Sequence, residues 1–150
     1  MMEWMKVEEK AYLAGLIDGE GSITIDRCGK SGGCPASRLQ LVLRITSTSK
    51  KLLEYSNKVT RDGKITLKRK STLNHRACYE WRTRNHHASR ILFFLLPYLL
   101  LKKDQAELAI KFAATIRPRG GSIPLSLAIQ NCREKCRREI MELNRRREGE

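Results

Sequence analysis

Residues 13–21 read Leu-Ala-Gly-Leu-Ile-Asp-Gly-Glu-Gly and constrain the fold more than any other stretch of the chain. Their periodicity places them at the end of a helix over residues 8–19. Gly15 and Gly19 fall on one face four residues apart, and Ala11 extends the same small stripe by one turn. An interior glycine costs a helix roughly 1 kcal/mol against alanine. Two in one short helix call for a compensating contact, and a face without bulky side chains lets two helix backbones approach closely. The helix runs out in two acids, Asp18 and Glu20.

These nine residues, with the Ser22-Ile23-Thr24-Ile25 that follows, resemble the LAGLIDADG homing endonucleases. The resemblance covers residues 11–108 and implies that two copies of the helix pack at the centre of the fold, with Ala11, Gly15 and Gly19 at the contact. It further implies that Glu20, at the eighth motif position, binds divalent metal at a scissile phosphate with help from the Gly19 carbonyl. The expected cofactor is Mg²⁺, with Mn²⁺ as a substitute and Ca²⁺ supporting binding without cleavage. Two positions depart from the motif, Gly19 for alanine and Glu20 for aspartate; glutamate keeps the carboxylate and adds a methylene. By the same resemblance Ser47 and Lys51 order the water around the metals, and Lys102 stands beside the scissile phosphate. One motif in 150 residues supplies half of a two-helix centre, so the expected partner is a second copy of the chain. The expected substrate is a long pseudo-palindromic DNA duplex, cut on both strands to leave a staggered break. Two other functions are known on this fold, an RNA-binding intron maturase and a DNA-binding regulator that does not cut. Neither needs Glu20, so its presence favours the enzyme.

Thirty Lys and Arg against sixteen Asp and Glu give a net charge of +14, which points to nucleic acid before membrane. At this length a single domain over residues 1–150 is expected. The longest apolar run, residues 91–101, is broken by Pro97 and is too short to span a bilayer. The opening residues are mixed and charged, unlike a signal peptide, so an intracellular protein is expected, in a prokaryotic cytoplasm or an organelle.

The order of elements reads α-β-β-α-β-β-α with further helices, an α+β fold around an antiparallel sheet. Strands are expected around residues 22–28, 38–46, 64–70 and 76–82, with a turn at Asp62-Gly63 between the second helix and the third strand. Alternation sends Leu39, Leu41, Leu43 and Ile45 inward. Outward go Arg38, Gln40, Val42, Arg44, Lys64, Thr66, Lys68, Lys70, Arg76, Glu80 and Arg82, together with Thr24 and Asp26. A solvated sheet face is ordinarily polar; here it is the excess of positive charge that counts. Such a ribbon can enter the major groove, where Arg and Lys read guanine, Gln reads adenine and Asp accepts from cytosine. Lys30, in the glycine-rich connection of residues 29–35, joins this candidate DNA-binding set.

The five cysteines contain no Cys-x-x-Cys pair and read as buried or reduced thiols rather than a metal site. Cys28 and Cys34 flank the glycine-rich loop, and both the reduced and the bridged state stay open. His75, His86 and His87 read as surface or capping residues without a catalytic part. The arginines of residues 133–147 read as phosphate or solvent contacts.

Overall fold

Helix α1 (Val7–Glu20) begins where the backbone N–H of Lys6 donates to the Glu9 carboxylate at 2.8 Å, with Glu8 and Glu9 at the positive end of the helix dipole. It ends at Gly21, where a Cβ would lie 2.8 Å from the Ile17 backbone. A side chain there would block the turn from helix into strand. The computed structural model describes residues 4–28, 38–117 and 125–148, so the expectations for Lys30 and Cys34 lie outside the described residues. After α1 come β1 (Gly21–Arg27), β2 (Leu39–Ser47), α2 (Lys50–Thr60), β3 (Lys64–Arg69), β4 (Cys78–Arg84) and α3 (Asn85–Leu95). A 3₁₀ turn at Leu96–Tyr98, α4 (Lys103–Ala113) and α5 (Leu127–Glu148) complete the chain. The architecture is the expected α+β arrangement, and Pro97 ends the third helix as its missing N–H requires.

The four strands form one antiparallel sheet in the order β1-β2-β4-β3. Ile23 faces Leu43, Ile25 faces Leu41, and Trp81 stands between Ile45 and Ile65. The helices close over this side: Leu13, Ala14 and Ile17 from α1, Leu53 from α2, Leu92 and Leu95 from α3, Phe112 from α4 and Ile140 from α5 are buried. Helix α5 contributes Cys136 as a buried residue, and burial pushes its thiol pKa up, with Cys132 beside it adding to the shift. Among the described residues Cys78, Cys132 and Cys136 are thiols.

The fourth strand starts later than its alternation implied. Pairing of Trp81 with Ile45 and Ile65 sets the register, so β4 begins at Cys78, and Arg76 lies in the preceding connection. A register shift between Leu67 and Arg69 ends β3 before Lys70. Arg38 precedes β2 by one residue. Val42 is on the outer face by register, between Thr24 and Arg84, yet it is fully buried.

The turn into β3 depends on Gly63, whose φ of +102° is costly for any side chain, and whose Cβ would fall 2.1 Å from Trp81 Nε1. That indole N–H donates to the Asp62 carbonyl at 3.0 Å. Gly63→Ala should therefore destabilise the fold by about 2–4 kcal/mol, combining backbone strain with overpacking. Thermal melting should show a drop of roughly 5–15 °C; an unchanged midpoint refutes the role given to this turn.

Candidate active site and nucleic-acid interface

Helix α1 has two unlike faces. Lys10, Leu13, Ala14 and Ile17 are buried against the core, whereas Ala11, Gly15 and Gly19 are exposed. A Cβ built on Gly15 or Gly19 would meet nothing within 4 Å. Among the described residues the two glycines therefore serve no close contact.

At the C-terminal end of α1 the two acids part ways. The Asp18 carboxylate accepts from the backbone N–H groups of Leu100 at 2.9 Å, Leu101 at 3.2 Å and Lys102 at 3.0 Å, just ahead of α4. In return the Lys102 ammonium donates to the carbonyls of Ile17 at 2.7 Å, Asp18 at 3.1 Å and Gly21 at 2.5 Å. The last carbonyls of a helix have no partner within it, and a cation there also meets the negative end of the dipole. Sequence reading placed Lys102 beside the phosphate but missed what Asp18 does; the sole cue was an acid next to the helix end. Glu20, two residues on, is exposed and makes no hydrogen bond or ion pair among the described residues. The Gly19 carbonyl likewise has no donor among them.

Ser47 closes β2 at this same end of the sheet, two residues past the Gly21–Ile45 pair, and its Oγ accepts from the Ser49 N–H at 3.0 Å. Lys51, exposed in the first turn of α2, lines a cleft of about 370 Å³ with Tyr12, Ser49, Leu52 and Tyr55. Tyr12 and Tyr55 meet edge to face at 5.2 Å across it. The structure thus gathers Glu20, Gly19, Ser47 and Lys102 at one end of the sheet, with Lys51 at the start of the helix leading away from it. The histidines are elsewhere: His87 lies 3.4 Å from the Asp62 carboxylate, and His75 pairs through its backbone with Thr72.

The sheet face away from the helices carries Thr24, Asp26, Gln40, Arg44, Lys64, Thr66, Lys68 and Arg82. Exposed Arg84, opposite Val42, belongs with them and was missed because the strand was ended two residues early. The arginines are not loose. Arg44 donates to Thr24 Oγ1 at 3.0 Å and pairs with Asp26. Glu80 stands 3.6 Å from Lys68 and 3.9 Å from Arg82.

Asp18→Ala removes the acceptor for three N–H groups that precede α4. Loss of a cap costs about 0.5–2 kcal/mol, and the melting temperature should fall accordingly. A variant as stable as wild type would show that the clasp holds nothing in place.

Residues 13–111 match the model of a family described as LAGLIDADG endonuclease. No curated protein matches the chain. Among solved structures, the archaeal intron-encoded homing endonuclease I-Vdi141I complexed with DNA has a TM-score of 0.70 at 19% identity, over 91% of this chain and 84% of that one. The homing endonuclease I-CvuI, in complex with the I-CreI target in 2 mM Mg with the DNA not cleaved, has a TM-score of 0.62 at 18% identity, over 89% of this chain and 94% of that one. For the homing endonuclease I-SmaMI bound to cleaved DNA the values are 0.55 and 22%, over 88% of this chain but 49% of that one. Such identities establish a shared fold, and the family match spans most of the chain. The protein belongs to the LAGLIDADG endonuclease family.

Proposed function

We propose that the protein is a homodimeric, sequence-specific endonuclease that hydrolyses both strands of a pseudo-palindromic DNA duplex with divalent metal, leaving a staggered break. The observation that carries this reading is the exposed glycine stripe of α1, which has no partner among the described residues and ends in Glu20, unengaged among them. Two such stripes packed about a two-fold axis would bring both Glu20 carboxylates together. Alignment lengths support the same assembly: the chain matches nearly all of I-CvuI but about half of I-SmaMI, as one unit of a two-unit enzyme would.

A hard divalent cation fits the residues present. Mg²⁺ is characteristically held by one or two carboxylates together with substrate phosphates. Here Glu20 offers a free carboxylate and Gly19 a free carbonyl at the negative end of a helix, and no cluster of three acidic, His or Cys ligands exists among the described residues. When bound, the cation supplies Lewis acidity toward the phosphodiester. Lys102 and Asp18 hold the end of α1 so that Glu20 points away from the core. Ser47 and Lys51 border the same region and would order water there. One water is consumed per strand: its oxygen bonds to phosphorus, the bond to the 3′ oxygen breaks, and that oxygen leaves protonated. The outer sheet face would lie in the major groove, where Arg44, Gln40, Lys68 and Arg82 are of the kinds that read base edges. An acid with no structural partner favours this enzyme over the RNA-binding maturase and the non-cutting regulator.

Glu20→Gln should bind duplex DNA as well as wild type while cleavage falls by orders of magnitude, because the anionic ligand is gone. Cleavage in Mg²⁺ and EDTA against a randomised library measures both, and near wild-type cutting by the variant would rule Glu20 out. Gly15→Leu tests the assembly. The single chain has open space at that position, so the monomer should stay folded while the dimer weakens by about 1–3 kcal/mol or more from overpacking. Sedimentation reads the result: a wild-type protein that is monomeric on and off DNA would end the two-helix model.

A further inference from the structure

At the end of the sheet far from Glu20, arginines from several elements converge. Arg27 at the end of β1 reaches Glu134 of α5 at 3.2 Å. Arg137 and Arg138 approach the same carboxylate at 3.0 and 3.8 Å, so three guanidiniums share one acid. Arg133, one residue before it, donates to the Thr115 carbonyl and, at 2.9 Å, to Thr115 Oγ1 beyond the end of α4. Arg38 enters from the start of β2, where its carbonyl accepts from Cys28. Burial, then the charge of Arg117, then that of Arg38 lower the pKa of Arg133, so these cations feel one another. The Nε–H of Arg137 is buried with no partner among the described residues.

Helix α5 fixes where this corner lies. Glu134 meets Arg27, and ten residues on, Asn144 donates to the Ile23 carbonyl at 3.1 Å. The helix therefore runs along the free edge of β1 with Arg133, Arg137 and Arg138 at the outer end. From Gly21 to Arg27 the strand covers roughly 20 Å at about 3.3 Å per residue. On a duplex aligned with the strands that equals about six base pairs at 3.4 Å each.

We infer that the corner formed by Arg27, Arg38, Arg133 and Arg138 is a phosphate clamp that grips the DNA backbone about six base pairs outboard of the cut and carries no sequence preference. It rests on the endonuclease reading and adds to it a second contact surface, on α5 rather than on the sheet. Guanidinium forks match phosphate oxygens bidentately. Guanidiniums pinned by Glu134 and Thr115 are held at the sheet edge, where they meet backbone rather than base edges.

The test uses the full-length protein and the duplex that wild type selects from a random library. Arg27→Gln combined with Arg138→Gln changes two exposed residues outside the reading face. Each phosphate left without its arginine should lower the slope of log affinity against log salt by about 0.9. The double variant should lose about two units of slope, keep the wild-type base preference at every position, and lose ethylation interference at the outer phosphates of each half-site. Arg138→Glu alone, at a side chain 77% exposed, gives the same test without disturbing β1 and should reduce the slope by about one unit. An unchanged slope in a wild type that binds and cuts overturns the clamp alone. A changed base preference overturns it too, making the corner a reader. A wild type that binds no duplex overturns the clamp and the endonuclease reading together.

Discussion

The exchange between Asp18 and Lys102 ties together residues more than eighty positions apart, and the working end of the molecule is organised by it. A carboxylate on α1 collects the N–H groups leading into α4, and an ammonium from that same turn collects the carbonyls ending α1. Residues two apart on a helix point roughly 200° away from each other. One acid of the pair can therefore be spent on the scaffold while its neighbour stays exposed. The chain needs both, because a carboxylate at a helix end has a defined position only if that end is itself held.

Charge on the outer sheet face is arranged as well as abundant. Asp26 and Glu80 sit among cations that would otherwise repel, and they hold Arg44 and Arg82 in set orientations. Such partly exposed pairs are worth about 0–1 kcal/mol, so exchanging them for a base or phosphate is cheap. The acids thus lower net attraction to any polyanion while leaving a preorganised donor pattern, a balance that favours discrimination over plain affinity.

Most of the fold was legible in the chain. The alternation of Leu39, Leu41, Leu43 and Ile45 and the spacing of the motif helix each report one period, and Pro97 marks a stop. What alternation cannot report is where a strand begins, because pairing decides it. The meeting of Trp81 with Ile45 and Ile65 moved β4 two residues along, leaving Arg76 in a connection and bringing Arg84 onto the face. The role of Asp18 was hidden for a similar reason: its partners are backbone groups from the other end of the chain. A sequence displays side chains, whereas N–H groups at a loop look alike until the fold brings them together. The arginine corner was hidden too, since Arg27, Arg38 and Arg133 come from separate elements.

The empty space beside Gly15 and Gly19 has a consequence for anyone altering this protein. Judged on one chain, both are ordinary defects, exposed helix positions where alanine would gain roughly 1 kcal/mol and strain nothing. Stability-guided redesign, or selection for heat resistance in the isolated chain, would replace them early. If α1 pairs as proposed, the improved protein would fold better and assemble worse, a trade between robustness and activity concentrated in two hydrogen-for-methyl exchanges.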